Sequence, residues 1–323
     1  MPKTHLIRML VFIAAFISAT VYAAVEYPKA VVPESVEKHK ITIWSDGRGL
    51  DGDIYRPKNL AKDEKVPAIV TSHGWGGNKE TAARYAIKFA QEGFIVLTFT
   101  HNTWGNSAGN IIVKDVNLAL DKNGDTKANV HLIRNVVDPV DWVNNIRSAI
   151  DYLAGEPNVD IQRIGAWGTS FGGGVTLAAV AGDSRIAALV TQVGAFPELA
   201  GANLAHAQKR AIDIARGNLP AIPENLDAFP GLNGAPNLAR FLFYKPLKSS
   251  DDLTIPTLLI AAEKEQFFKN EEHSHKVYNK LHQRANMVTK YHVIKNIDHY
   301  GIYFDGYKEG SSLAVEWFNK YLQ

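Results

Sequence analysis

Ser170 is the residue around which chemistry can be organised in this chain of 323 residues. It stands in Gly168-Thr169-Ser170-Phe171-Gly172, a G-x-S-x-G pentapeptide between an apolar run at 161–167 and a small-residue stretch at 173–180. Strand, sharp turn and helix is the setting in which this pattern holds a serine out at the end of a sheet. Side chains at the first and last positions of so tight a turn would clash, which accounts for Gly168 and Gly172.

A serine hydroxyl is a poor nucleophile at neutral pH and needs a base within hydrogen-bond reach. The chain has 11 histidines. His273, His275 and His282 fall on a segment of helical spacing, where the 273/275 pair cannot share a face, which argues against metal binding. His292 falls inside a strand. His299 follows the strand ending near Ile294, in Asn296-Ile297-Asp298-His299-Tyr300-Gly301, ahead of the last helix. From there an imidazole can fold back over the ends of parallel strands, where ligands bind in such sheets.

That imidazole must be held in one tautomer by a carboxylate. Glu265 and Glu263 both follow the strand at 255–261. Glu265 is the expected acid, because the acid sits a short turn beyond its strand, and Glu263 is the alternative. Asp298 adjoins His299, but neighbouring side chains diverge in an extended loop, so it reads as a local cap. The negative oxygen formed on attack needs preorganised donors. One is the amide of Phe171, directly after the serine; the other is expected from the glycine-rich Ser72-His73-Gly74-Trp75-Gly76-Gly77, at the Trp75 N–H.

These residues need a scaffold that brings distant segments to one edge. Alternation at 36–44 and 50–55 around Ser45-Asp46-Gly47-Arg48-Gly49 reads as a hairpin. Short apolar strands follow at 66–71, 94–99, 161–167, 186–193, 255–261 and 288–294. Helical spacing falls between them at 80–91, 138–154, 173–180, 271–281 and 311–322. This rhythm implies right-handed βαβ units, hence an α/β fold: a mostly parallel twisted sheet with helices on both faces. Residues 101–137 are long and polar. They contain Asp121-Lys122-Asn123-Gly124-Asp125, a poor match to a calcium loop that reads as a solvated turn. The rhythm also fails at 196–253, too long for a simple connection. With helical spacing at 204–215 and with Phe229, Phe241, Phe243 and Tyr244, that segment is expected to be a cap inserted above the sheet.

From Val36 to the C-terminus the chain resembles the α/β-hydrolase superfamily, most closely serine esterases of the dienelactone-hydrolase and acetyl-xylan-esterase-like branch. The resemblance rests on residues 72–76, 163–173, the run into Glu265, and Asp298-His299-Tyr300-Gly301. It implies a carboxylic-ester hydrolase using Ser170, His299 and Glu265 without a metal or organic cofactor. The order serine, acid, histidine is that superfamily's order. Two departures stand out: dienelactone hydrolases proper use a cysteine, and the acid is more often Asp. In addition, His101-Asn102-Thr103-Trp104-Gly105-Asn106-Ser107 replaces an Asp-x-Arg-Gly type of turn at the expected rim of the site. A prolyl-type peptidase and an acyltransferase share the same machinery, and a non-catalytic binding protein on the same scaffold would keep it as a vestige.

Composition is that of an ordinary globular chain, 46% hydrophobic and 21% charged. Residues 1–23 read as a cleavable secretory signal: Lys3 and Arg8, an apolar stretch at 9–19, and small residues at Val21 and Ala23 before cleavage. A periplasmic or secreted protein is therefore expected. With no cysteine, neither a disulfide nor a lipid-modified cysteine is possible. Cleavage would remove Lys3 and Arg8 and no acid, bringing the 35 basic residues level with the 33 acidic ones. A neutral mature chain gives no reason to expect nucleic acid or an anionic membrane as partner; the expected partner is a small ester.

Overall fold

The computed structural model describes residues 26–222 and 232–323; the expected signal at 1–23 and Phe229 lie outside them. Eight strands form one sheet: β1 Val36–Ser45, β2 Arg48–Pro57, β3 Val66–Ser72, β4 Ile95–Phe99, β5 Val159–Thr169, β6 Ile186–Gln192, β7 Thr257–Lys264 and β8 Thr289–Asp298. Their order is β1-β2-β4-β3-β5-β6-β7-β8. β1 and β2 pair antiparallel, β2 pairs antiparallel with β4, and β3 to β8 run parallel. The hairpin turns on Asp46 and Gly47, both at positive φ (48° and 74°), the backbone twist that two-residue hairpin loops favour.

Successive strand residues face opposite sides, so each strand feeds two cores. Ala68 and Val70 of β3 pack with Trp142, Ile146 and Val175 on one side. Ile69 packs with Tyr85, Phe89 and Phe318 on the other. The helices that close the first side are α2 (Pro139–Ala154), α3 (Phe171–Val180) and α5 (Ser274–His282). Those closing the second are α1 (Ala83–Gln91) and α6 (Tyr307–Leu322). Every residue of β3 and β4 is buried, as expected of strands covered on both faces.

Three segments differ from the sequence expectation. The strands expected at 255–261 and 288–294 extend to Lys264 and Asp298, which pair with each other past the point where β6 ends. Glu263 therefore lies inside β7, and Glu265 is the first residue beyond it. The polar 101–137 stretch carries a hairpin, Asn110–Val113 with Val130–Ile133. Its acidic turn is organised by Asp121, whose Oδ1 accepts the amides of Asn123 (2.8 Å) and Asp125 (2.9 Å). The 196–253 segment opens with a longer helix than its spacing indicated, α4 at Gly201–Ala215. It continues through short helical turns at Leu238–Phe241 and Pro246–Ser249, and its Ala235–Pro236 pairs with Val136–Val137.

Candidate active site

β5 and α3 are joined by Ser170 alone, held at φ 55°. A non-glycine residue in that region is strained and persists only where its surroundings over-determine it. Three backbone bonds do so. Ser170 N–H donates to Gln192 O (2.9 Å), and Ser170 O accepts from Gly173 N and Ala195 N, both at 2.9 Å. A Cβ on Gly168 would lie 2.5 Å from Gly172 O and 2.6 Å from Thr176 Oγ1. The second glycine is needed for a different reason from the one the pentapeptide suggests. A Cβ on Gly172 would strike the backbone of Ser72 and His73, the loop that follows β3.

His299 Nε2 lies 3.0 Å from Ser170 Oγ, and its Nδ1 lies 2.6 Å from Glu265 Oε2. A carboxylate only accepts, so Nδ1 carries the proton and Nε2 offers its lone pair to the serine hydroxyl. Glu265 Oε1 accepts the Phe267 amide (3.0 Å), and Gln266 Oε1 accepts the His299 amide (2.9 Å). The first bond folds the loop after β7 on itself, and that loop grips His299 at two points, through Glu265 on its ring and Gln266 on its amide. Both side chains are enclosed, Glu265 at 2% and His299 at 5% exposure. Glu263 faces elsewhere: it is paired with Lys295 Nζ (2.8 Å) and accepts the Asn296 amide (2.9 Å). The Lys295 hydrogen bond, then that amide, hold its carboxyl below the usual carboxylate range. Asp298 Oδ1 accepts Gly301 N–H (2.7 Å), a local cap.

Phe171 opens α3, and the first amides of a helix have no intrahelical acceptor. The loop carrying Trp75 runs directly against the serine: a Cβ on Gly74 would sit 2.7 Å from Ser170 Cβ and 3.2 Å from its Oγ. The rings of Trp75 and Phe171 meet edge to face at 5.8 Å, and Trp75 Nε1 donates to Asn233 O (2.8 Å).

Beneath that loop lies an arrangement the sequence reading did not find. His73 Nε2 accepts the His101 amide (3.1 Å), and its Nδ1–H donates to Gly74 O (2.8 Å). His101 meets Ser72 Oγ (2.9 Å) and stacks on Trp142, with ring centroids 4.1 Å apart. Both rings are fully enclosed. Burial pushes His73 down to about 4 and His101 well below the ordinary histidine value. The 101–107 stretch thus supports the loop from below and does not form the rim. The signal was present as two histidines closing neighbouring strands, but only the register of β3 against β4 brings them together.

A cavity of about 250 Å³ opens on Ser170 and His299. Its walls are mainly apolar, with Phe267 and Phe268 on one side and Leu199, Leu238 and Phe241 of the 196–253 segment on another. Arg240, beside Phe241, ties that segment to the start of α2. Its Nε meets Asp138 Oδ2 at 2.9 Å, and its guanidinium reaches Asp141 Oδ1 at 2.8 Å. His273 and Tyr27 also line the cavity, and the sequence reading gave neither a role there.

Two family models match this chain. One, the X-Pro dipeptidyl-peptidase (S15) family, covers residues 46–213, and the other, the prolyl oligopeptidase family, covers 140–323. Among curated proteins the chain is 33% identical over 158 residues to the uncharacterized protein PA2218 of Pseudomonas aeruginosa, covering 48% of this chain and 36% of that protein. It is 30% identical over 140 residues to the quorum-quenching protein AidA of Acinetobacter baumannii, covering 43% and 38%. The matched region thus spans well under half the length of either relative. The crystal structure of PA2218 superposes with a TM-score of 0.66 at 20% identity, over 94% of this chain and 99% of that one. An acetyl xylan esterase from Paenibacillus sp. R4 does so with 0.57 at 18% identity, over 94% and 89%. At those identities the likeness is one of fold. Each family model describes more than half of the chain, and the protein belongs to the α/β-hydrolase superfamily, among the serine hydrolases of the S15 and prolyl oligopeptidase families.

Proposed function

We propose that the protein hydrolyses carboxylic esters through an acyl-enzyme on Ser170. The observation that carries this reading is the series Ser170 Oγ–His299–Glu265, at 3.0 and 2.6 Å, opening into a mainly apolar cavity. Ser170 Oγ attacks the ester carbonyl carbon while His299 Nε2 takes the hydroxyl proton. Glu265 holds the imidazole and stabilises its charged form. The amides of Trp75 and Phe171 donate to the oxygen that becomes negative. Collapse breaks the bond to the alcohol oxygen, which leaves with the proton from His299. Water, deprotonated by His299, attacks the acyl carbon, and the acid departs as Ser170 recovers its proton. The chain's own groups supply every proton transfer.

A peptidase reading has its own support, because both family models are named for enzymes acting beside proline. Acyl transfer differs only in the final acceptor. One panel separates the three: p-nitrophenyl esters of graded acyl length, proline p-nitroanilides, and the esters again with added alcohols. The expected outcome is rapid ester turnover, negligible anilide turnover, and acid as the main product. Faster anilide cleavage, or an alcohol ester as the main product, would replace the ester reading. We also propose that the protein is exported, on the strength of the charged and apolar pattern at 1–23. Amino-terminal sequencing of the protein from a periplasmic fraction should begin at Ala24.

A further inference from the structure

His273 lines the same cavity as Ser170 and His299 yet takes no part in their hydrogen-bond series. Its position and protonation state are both fixed. Phe196 N–H donates to His273 Nδ1 at 2.7 Å. Nδ1 is therefore the acceptor, and the single proton of the neutral ring sits on Nε2. Burial pushes the group down to about 4, so the ring is neutral at neutral pH. Phe268 stands between the two histidines of the cavity, its centroid 4.4 Å from the His273 ring and 5.7 Å from that of His299.

The Nε2–H points away from the Phe196 bond, and among the described residues it has no acceptor. The residue as a whole is only 4% exposed, and what it exposes faces the cavity. A donor that opens onto a mainly apolar cavity is satisfied only by water or by an oxygen of the molecule bound there, so it is placed to read such an oxygen. The surrounding wall is largely aromatic and aliphatic, with no lysine or arginine lining the cavity among the described residues. A carboxylate brought there would be desolvated without a counter-charge, whereas an uncharged oxygen would lose little.

We infer that His273 is a specificity-determining residue, its Nε2–H donating to an uncharged acceptor oxygen that the substrate carries away from its scissile bond. Keto and ether oxygens are the class it fits. This rests on the ester reading above.

The test uses matched esters that differ by one such oxygen: methyl hexanoate against methyl 4-oxohexanoate and 5-oxohexanoate, and butyl hexanoate against 2-methoxyethyl hexanoate. The wild-type protein should favour at least one oxygenated member by about three- to ten-fold in kcat/KM, the size of one neutral hydrogen bond. Two variants separate the two ends of the ring. In His273→Asn the amide oxygen can still accept from Phe196 N–H, but nothing replaces Nε2–H. The preference should fall to about one-fold while turnover of the plain ester holds. In His273→Gln an amide N–H comes near the Nε2 position, and part of the preference should return. Equal preference in the wild-type protein, or an equal loss for plain and oxygenated esters in His273→Asn, would overturn the inference. Calorimetric binding of the same esters to the Ser170→Ala protein repeats the comparison without turnover. A preference seen in binding but with no ester hydrolysed by the wild-type protein would sink the ester reading and leave His273 as a recognition group.

Discussion

The ledge at the strand ends and the segment that overhangs it are held by different means. On the ledge, Ser170, Glu265 and His299 are fixed largely through backbone groups: a single strained residue on three main-chain bonds, glycines packed against neighbouring main chain, the Phe267 amide held by Glu265, and the His299 amide held by Gln266. The described part of the overhanging 196–253 segment has one short backbone pairing, Ala235–Pro236 with Val136–Val137, and is otherwise tied mainly by side chains, with Arg240 on Asp138 and Asp141, Asn237 on Asp138, and Trp75 reaching Asn233 O. Backbone constraint tolerates almost no substitution and sets the chemistry. Side-chain tethers can be exchanged one at a time, so this region is where selectivity can change without loss of the reaction. The comparison predicts that variants of the two regions will separate in kinetics, with the ledge acting on kcat and the overhang on KM and substrate preference.

After loss of Ser170 itself, the largest effect should come from the acid. Glu265→Gln leaves the His299 geometry but no longer fixes its tautomer or stabilises its charge, and kcat should fall by ~10⁴. Glu263→Gln, lying on the same strand end but paired with Lys295, should leave kcat within about two-fold. Steady-state kinetics on a p-nitrophenyl ester reads both. Comparable losses in the two variants would remove the distinction between strand interior and loop.

The next effect concerns what supports the ledge. His73 is held neutral, its value lowered from 6.5 to about 4 by burial. In the unfolded chain it binds a proton near pH 6.5, so below that the unfolded state takes up more protons than the fold. Its contribution is complete above that pH and is lost as pH falls towards 4, roughly 3 kcal/mol in all. Urea unfolding from pH 7.5 down to 4.5 should show this decline. His73→Gln, which cannot titrate, should be less stable at pH 7.5 but show a shallower slope. Equal slopes would mean that His73 is not held neutral.

Smaller effects belong to the overhang. Arg240→Ala leaves Asp138 and Asp141 facing each other without that guanidinium, where burial and then the Asp141 charge already push Asp138 upward. Because Arg240 is 39% exposed, about 2 kcal/mol is expected, below the cost of breaking a fully buried pair. KM should rise several-fold with kcat nearly intact, and a loss confined to kcat would contradict the division between the regions. Trp75→Phe removes the Nε1 bond to Asn233 O, worth about 1 kcal/mol, and shortens the ring in the cavity wall. It should shift preference along an acyl-length series without altering the rate on the shortest ester.

The same division explains what could be read from the sequence. Ser170 was legible because Gly168 is demanded by local backbone geometry and the strand, turn and helix around it are read locally, although Gly172 answers to the distant backbone of Ser72 and His73. Glu265 and His299 were legible because each follows an apolar strand at the parallel end of the sheet, though only the extension of β7 to Lys264 separates Glu265 from Glu263. The order of elements was legible for the same reason, since period and punctuation are local. His73 with His101, His273 with Phe196, and Arg240 with Asp138 were not. Their partners lie 28, 77 and 102 positions away, and no spacing rule links such pairs before the sheet is assembled. His273 was weighed only as a metal ligand on a helix, whereas it stands just before α5 with its ring turned into the cavity wall.

The central claim is that Ser170 is the nucleophile, and covalent labelling tests it most directly. The protein is treated with a fluorophosphonate, digested, and the modified peptide is identified by mass spectrometry beside the Ser170→Ala variant. The expected result is one adduct, on the peptide holding Gly168-Thr169-Ser170-Phe171-Gly172, with neither labelling nor ester turnover in the variant. An adduct on another residue, or a Ser170→Ala protein that still hydrolyses p-nitrophenyl acetate at the wild-type rate, would contradict the account.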